Sequence, residues 1–115
     1  MKINIVERKG YSNRIMDWKI YVRKDLTVAK ASEYYYEFIE ENSFRPVSEL
    51  VLPEDGELLK EAVAAESLAP LELMTVLSNL KDSTRNVYLR MEQSEQTEDG
   101  IPLYQITLSD LHDLE

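Results

Sequence analysis

Asp110, His112 and Asp113 lie close together near the end of a 115-residue chain, and all three are residue types that ligate metals. In an extended segment Asp110 and His112 point the same way while Asp113 does not, so the spacing closes poorly around an ion. Glu54, Asp55 and Glu57 form a second cluster, of a kind that can shuttle protons or hold a hard cation. Carboxylates also gather at helix N-termini for purely electrostatic reasons, and that structural reading takes precedence here. His112 is the single histidine, so a Ser–His–acid triad would need it to fold back from beyond the last strand. The chain has no cysteine, which removes disulfides, thiolate nucleophiles, Cys-ligated zinc and cysteinyl–flavin photochemistry. No Gly-rich phosphate cradle is present. From this inventory we assign no catalytic residue and no metal ligand, and expect a domain that is not an enzyme.

Charge narrows the partners. The net charge is -9, but the first 30 residues carry eight Lys/Arg against three Asp/Glu, and the remaining acids make the rest strongly negative. An acidic bulk repels phosphate backbones and anionic lipid, so neither nucleic acid nor direct membrane insertion is expected. No apolar run approaches the roughly 20 residues of a membrane span. The cysteine-free composition fits a cytoplasmic protein. A chain of this length forms one domain and buries roughly 65% of its unfolded surface, enough for one core without staples.

The elements that would position any site follow from hydrophobic period. Residues 1–16 have too few periods to separate strand from helix. Trp18, Ile20 and Val22 alternate with Lys19, Tyr21 and Arg23, Lys24-Asp25 turns the chain, and Leu26 and Val28 resume it as a hairpin. Ser32 is placed to cap a helix through its hydroxyl, with Tyr35, Phe38 and Ile39 inward and Glu33, Glu37, Glu40 and Glu41 wet. Three consecutive helical tyrosines point about 100° apart, so Tyr34–Tyr36 cannot make one stacking surface. A loop with a single turn begun by Ser48 leads to Pro53, a good helix start, followed by an apolar stripe of Leu58, Leu59, Ala62 and Val63 that Ala69-Pro70 ends. Three strands close the chain: residues 71–80, then the alternation Val87, Leu89, Met91, then, past the Asp99-Gly100 turn, Tyr104, Ile106 and Leu108. Two strands, a helical middle and three strands predict an α+β fold with helices on one face of an antiparallel sheet.

With that order in hand, the sequence resembles a PAS domain, a sensory module of bacterial signalling proteins, over residues 17–113. The pieces that carry the resemblance are DWKIYVRKDLTVAKASEYYYEF, VSELVLPEDGELLKEAV and EDGIPLYQITLSDL. It departs from the family at Leu52, where a His usually precedes Pro-x-Asp, and at Leu111-His112, where Ile-Thr usually follows the Asp. The resemblance implies a five-stranded antiparallel sheet in the order 2-1-5-4-3, with helices over one face and often a small ligand cavity beneath them. Ile20, Val22, Phe38, Val63, Leu89, Met91, Ile106 and Leu108 are the candidates for that wall, which core packing alone also explains. The implied relay residue is Asp110, at the junction with an outgoing helix that leads into an effector such as a histidine kinase or diguanylate cyclase. Only five residues follow Asp110, fewer than a stable helix needs, so we expect the domain to be part of a longer protein. Haem is not expected, because the middle of the domain has no histidine; a noncovalent flavin, a small metabolite or a filled core remain open. A homodimer through residues 1–16 and the bare sheet face is expected. The alternative to a sensor is a ligand-free module for dimerisation or protein contact; a small enzyme with a carboxylate site ranks third.

Overall fold

The computed structural model describes residues 17–111. The flanking segment 1–16 and residues 112–115, which include His112 and Asp113, lie outside the described residues. The chain runs β1 (Trp18–Val22), β2 (Val28–Ala31), α1 (Glu33–Ile39), 3-10 turns at Glu40–Phe44 and Val47–Glu49, α2 (Pro53–Ala64), β3 (Leu71–Ser78), β4 (Thr84–Glu98) and β5 (Ile101–Asp110). The sheet is antiparallel throughout, in the order β2-β1-β5-β4-β3, as the resemblance implied.

The last strand is therefore the central one. Ile106 of β5 sits opposite Ile20 of β1 on one side and Met91 of β4 on the other. Leu108 lies likewise between Trp18 and Leu89. These rows face α1 and α2, and Tyr35, Ile39, Leu59 and Val63 close over them. The opposite face carries Lys19, Lys30, Glu72, Arg90 and Glu92, the polar half of the same alternation.

Local chemistry explains most element ends. Pro53 occupies the first turn of α2 with Glu54 and Asp55 beside it, where the helix dipole favours acids. Asp99 (φ 53°) and Gly100 (φ 82°) make the left-handed pair that a tight hairpin requires. Some details differ from expectation. Ser32 precedes α1, yet its hydroxyl caps nothing and is buried without a partner. Leu58 is exposed, so the inner stripe of α2 is Leu59, Val63 and half-buried Ala62. The helix stops at Ala64, well before Pro70, because Glu66 turns left-handed at φ 52° and the N–H groups of Glu66 and Ser67 cap the carbonyls of Val63 and Ala62. Gln93 Nε2 then donates to the carbonyls of Glu66 and Ser67. Leu26 belongs to the turn rather than a strand, at φ 71°, with its side chain in the core.

Two contacts fix the helical middle against the sheet. A Cβ on Gly56 would stand 2.3 Å from the Ser48 carbonyl oxygen, so only glycine lets α2 approach the Val47–Glu49 turn. Buried Asn79 organises the β3–β4 connection: its Oδ1 accepts from the backbone N–H of Lys81, Asp82 and Ser83. Its carbonyl accepts from Asn42 Nδ2 at 2.6 Å, tying that loop to the turn after α1.

Gly56→Ala should lower stability by roughly 1–3 kcal/mol through overpacking, and Asn79→Ala by about 2 kcal/mol through unsatisfied buried amides. Urea denaturation checks both, and a shift of the midpoint at unchanged slope is the expected form. Acid sensitivity follows from three carboxyls. Hydrogen bonds from Thr27 hold Asp25 below the usual carboxylate range, Asn79 and Ser83 do so for Asp82, and Arg23 does so for Glu98. A depressed folded-state value stabilises the fold above the ordinary pKa and is lost as pH falls through the depressed one. Denaturation midpoints should accordingly fall from about pH 5 downward, and Glu98→Gln should make that fall shallower.

Candidate functional site: the end of the central strand

The inward stripes of β4 and β5 both end in a charge. On β4 the parity of Met91, Leu89 and Val87 continues to Arg85; on β5 that of Ile106 and Leu108 continues to Asp110. Antiparallel pairing sets Val87 opposite Asp110, so the two charges meet at one edge of the core. Arg85 Nη1 donates to Asp110 Oδ2 at 2.5 Å, and the Asp110 side chain is only 10% exposed. The bond is charge-assisted, with the acid shielded and the Arg85 side chain 43% exposed.

Arg85 also reaches the first helix. Its guanidinium carbon lies 5.6 Å from the centre of the Trp18 ring and 5.3 Å from that of Phe38, within cation–π range of both. The two rings pack against each other at 5.8 Å. Thus β1, α1, β4 and β5 converge on one side chain. An open groove of about 420 Å³ runs beside it, lined by Phe38, Ser83, Thr84, Arg85, Asn86, Asp110 and Leu111.

Beneath α1 the chemistry is different. Tyr35 is fully buried, and its hydroxyl has no hydrogen-bond partner among the described residues. Burial, with a smaller contribution from Tyr36, pushes its phenol well above the usual tyrosine range, so it stays neutral. Trp18 Nε1 and Ser32 Oγ are likewise buried without partners among those residues. Three such groups on β1 and the start of α1 are unusual, since buried polar groups nearly always find a partner in protein or water.

Of the wall residues expected from sequence, Ile20, Val22, Val63, Leu89, Met91, Ile106 and Leu108 are buried in one core cluster, and Phe38 packs on it half-buried. Tyr35 was read as a packing residue and its orphaned hydroxyl was not foreseen. Arg85 was missed altogether, although its parity with Val87, Leu89 and Met91 placed a cation on the inner face. Asp55 is buried near the start of α2, and no cluster of metal-ligating side chains occurs among the described residues.

Comparison with known proteins adds the fold's relatives. No family model matches the sequence, and no curated protein does. Solved structures do. The PAS domain of an HTR-like protein from Haloarcula marismortui aligns at TM-score 0.65 and 16% identity, over 82% of this chain and 80% of that one. A PAS domain from Desulfitobacterium hafniense aligns at 0.64 and 14%, over 85% and 95%. The PAS domain of nitrogen regulation protein NR(II) from Vibrio parahaemolyticus aligns at 0.55 and 8%, over 85% and 92%. The fold of this chain is the PAS fold, carried by a sequence far from those of its structural neighbours.

Trp18 is the only tryptophan and reports directly on this arrangement. Arg85→Ala should red-shift its emission and increase its quenching by acrylamide, at a cost in stability of about 1 kcal/mol. An unchanged spectrum would contradict the stacked arrangement.

Proposed function

We propose that this chain is the sensory domain of a signalling protein, taking its input under α1 and passing it through the end of β5 to whatever follows. The observation that carries the reading is the four-element junction at Arg85. A displacement of α1 moves Phe38, Phe38 bears on Arg85, and Arg85 holds Asp110 at the last residue of the central strand. Packed cores respond to such displacements by switching between discrete arrangements rather than by deforming smoothly. The orphaned polar groups Tyr35 Oη, Trp18 Nε1 and Ser32 Oγ support a small, acceptor-bearing input molecule at the β1–α1 layer, with the apolar residues from Ile20 to Leu108 as its surroundings. A histidine kinase or a diguanylate cyclase is the kind of effector this reading assigns to the outgoing end. No helix among the described residues is long and apolar enough to cross a membrane.

Pairing with a second copy is part of the same proposal. The outer sheet face carries Lys19 and Lys30 on the β1–β2 side, and on the β3–β4 side Glu72 and Glu92, both paired with Arg90 at 3.3 and 3.4 Å. Met74, 70% exposed, adds an apolar contact at the far edge. Across a two-fold axis the two lysines of one copy would meet the Glu72–Arg90–Glu92 group and Met74 of the other.

Fusing residues 1–115 to a histidine-kinase catalytic core tests the relay. Arg85→Gln and Asp110→Asn should each change kinase output about 5-fold or more, the usual size of a coupling energy. Wild-type output in both variants would refute the relay. Sedimentation equilibrium tests the pairing: Lys19→Glu with Lys30→Glu should shift the chain toward monomer, and an unaltered dimer would exclude this face.

A further inference from the structure

At the opposite end of the sheet from Asp110, the β1–β2 turn, the C-terminal end of α2 and the β4–β5 hairpin enclose a recess of about 140 Å³. It is lined by Lys24, Glu66, Gln93, Pro102, Leu103 and Tyr104. It adjoins a wider groove of about 440 Å³, and Lys24 and Glu66 line that one too, with Leu26, Val63 and Ala64 supplying apolar wall.

The surrounding charges are mostly spoken for. Asp25 accepts from the N–H and hydroxyl of Thr27 at 3.0 and 2.5 Å, Lys60 pairs with Glu57 at 3.1 Å, and Arg23 grips Glu98 through two nitrogens at 2.6 and 3.0 Å. Lys24 and Glu66 differ: neither forms an ion pair or a side-chain hydrogen bond among the described residues. One cation and one anion thus border the same small recess without an ion pair within 4.0 Å between them. The backbone that carries Glu66 is pre-set, at φ 52°, with its carbonyl held by Gln93 Nε2 at 3.1 Å.

We propose that this recess binds a small zwitterion of the α-amino acid class. Lys24 receives the carboxylate, Glu66 receives the ammonium group, and the side chain points along Leu26, Val63 and Ala64. An amino acid carries its two charges on either side of a single carbon, which suits a gap that a direct ion pair does not close. A simple anion meets Glu66 as a repulsive neighbour, and a simple cation meets Lys24, so the pair of charges also confers selectivity. The bound molecule bridges α2, the first turn and the hairpin leading into β5. Its role as an input rests on the sensory reading above, whereas the binding itself does not.

Titration of the isotopically labelled 115-residue chain with L-alanine and L-leucine, followed by amide NMR, tests this without any effector. Saturable shifts at Lys24, Glu66, Gln93 and Tyr104 are expected with both amino acids, and none with acetate or butylamine. Lys24→Gln and Glu66→Gln, both at exposed positions, should each weaken binding about tenfold, the worth of one charge-assisted contact. Equal binding of acetate, saturable shifts only at other residues, or no saturable shift would each overturn the proposal. None of these results bears on the relay at Asp110, which the kinase fusion tests separately.

Discussion

The insertion of the C-terminal strand between the first and the fourth is the constraint on which the rest of this molecule depends. Ile106 and Leu108 have core partners on both sides, Ile20 and Trp18 from the start of the domain, Met91 and Leu89 from its end. Without β5 the first hairpin and the last two strands share no edge. The apolar floor beneath α1 and α2 then does not exist as one surface. The pairing of β1 with β5 is also non-local, so its closure entropy is met late, after the β4–β5 hairpin has formed around Asp99-Gly100. That dependence puts the central strand in contact with both halves of the sheet and with the helices that rest on it.

The charged ends of the inner stripes turn this floor into a junction. Arg85 and Asp110 each sit where an apolar row runs out: the Asp110 side chain is 10% exposed, whereas Arg85 lies at the surface with 43% of its side chain open to water. The cation covers Trp18 and Phe38 while its fork holds the acid, so packing and electrostatics act through one side chain. On the helical side, Gly56 seats α2 against the Val47–Glu49 turn, and Asn79 ties the β3–β4 loop to the turn after α1. The orphaned groups of Trp18, Ser32 and Tyr35 lie at α1 and the strand below it.

Much was legible in the chain alone, and for a simple reason. Alternation in Trp18–Val22, Val87–Met91 and Tyr104–Leu108, the Asp99-Gly100 turn and the Pro53 helix start are local signals, decided by backbone sterics and by which side chains avoid water. They established the element types and a set of residues, Ile20, Val22, Val63, Leu89, Met91, Ile106 and Leu108, that the core buries. The strand order came from resemblance, since period-2 patterns specify a face but not a neighbour. The early end of α2 went unread because its left-handed cap falls on Glu66, a residue type that does not signal one, and the exposure of Leu58 because packing, not period, chose which apolar residues of α2 face the sheet.

The sequence by itself determined that this is an α+β domain with one apolar sheet face, an acidic exterior and no cysteine chemistry, because composition and short-range periodicity need no partner to be expressed. Only the tertiary structure decided that Arg85 meets Asp110 over two aromatic rings, that the Tyr35 hydroxyl is sealed in without a partner, and that Lys24 and Glu66 border one recess. Each of those facts joins residues from different elements, and such meetings follow from packing in three dimensions, which no local pattern encodes.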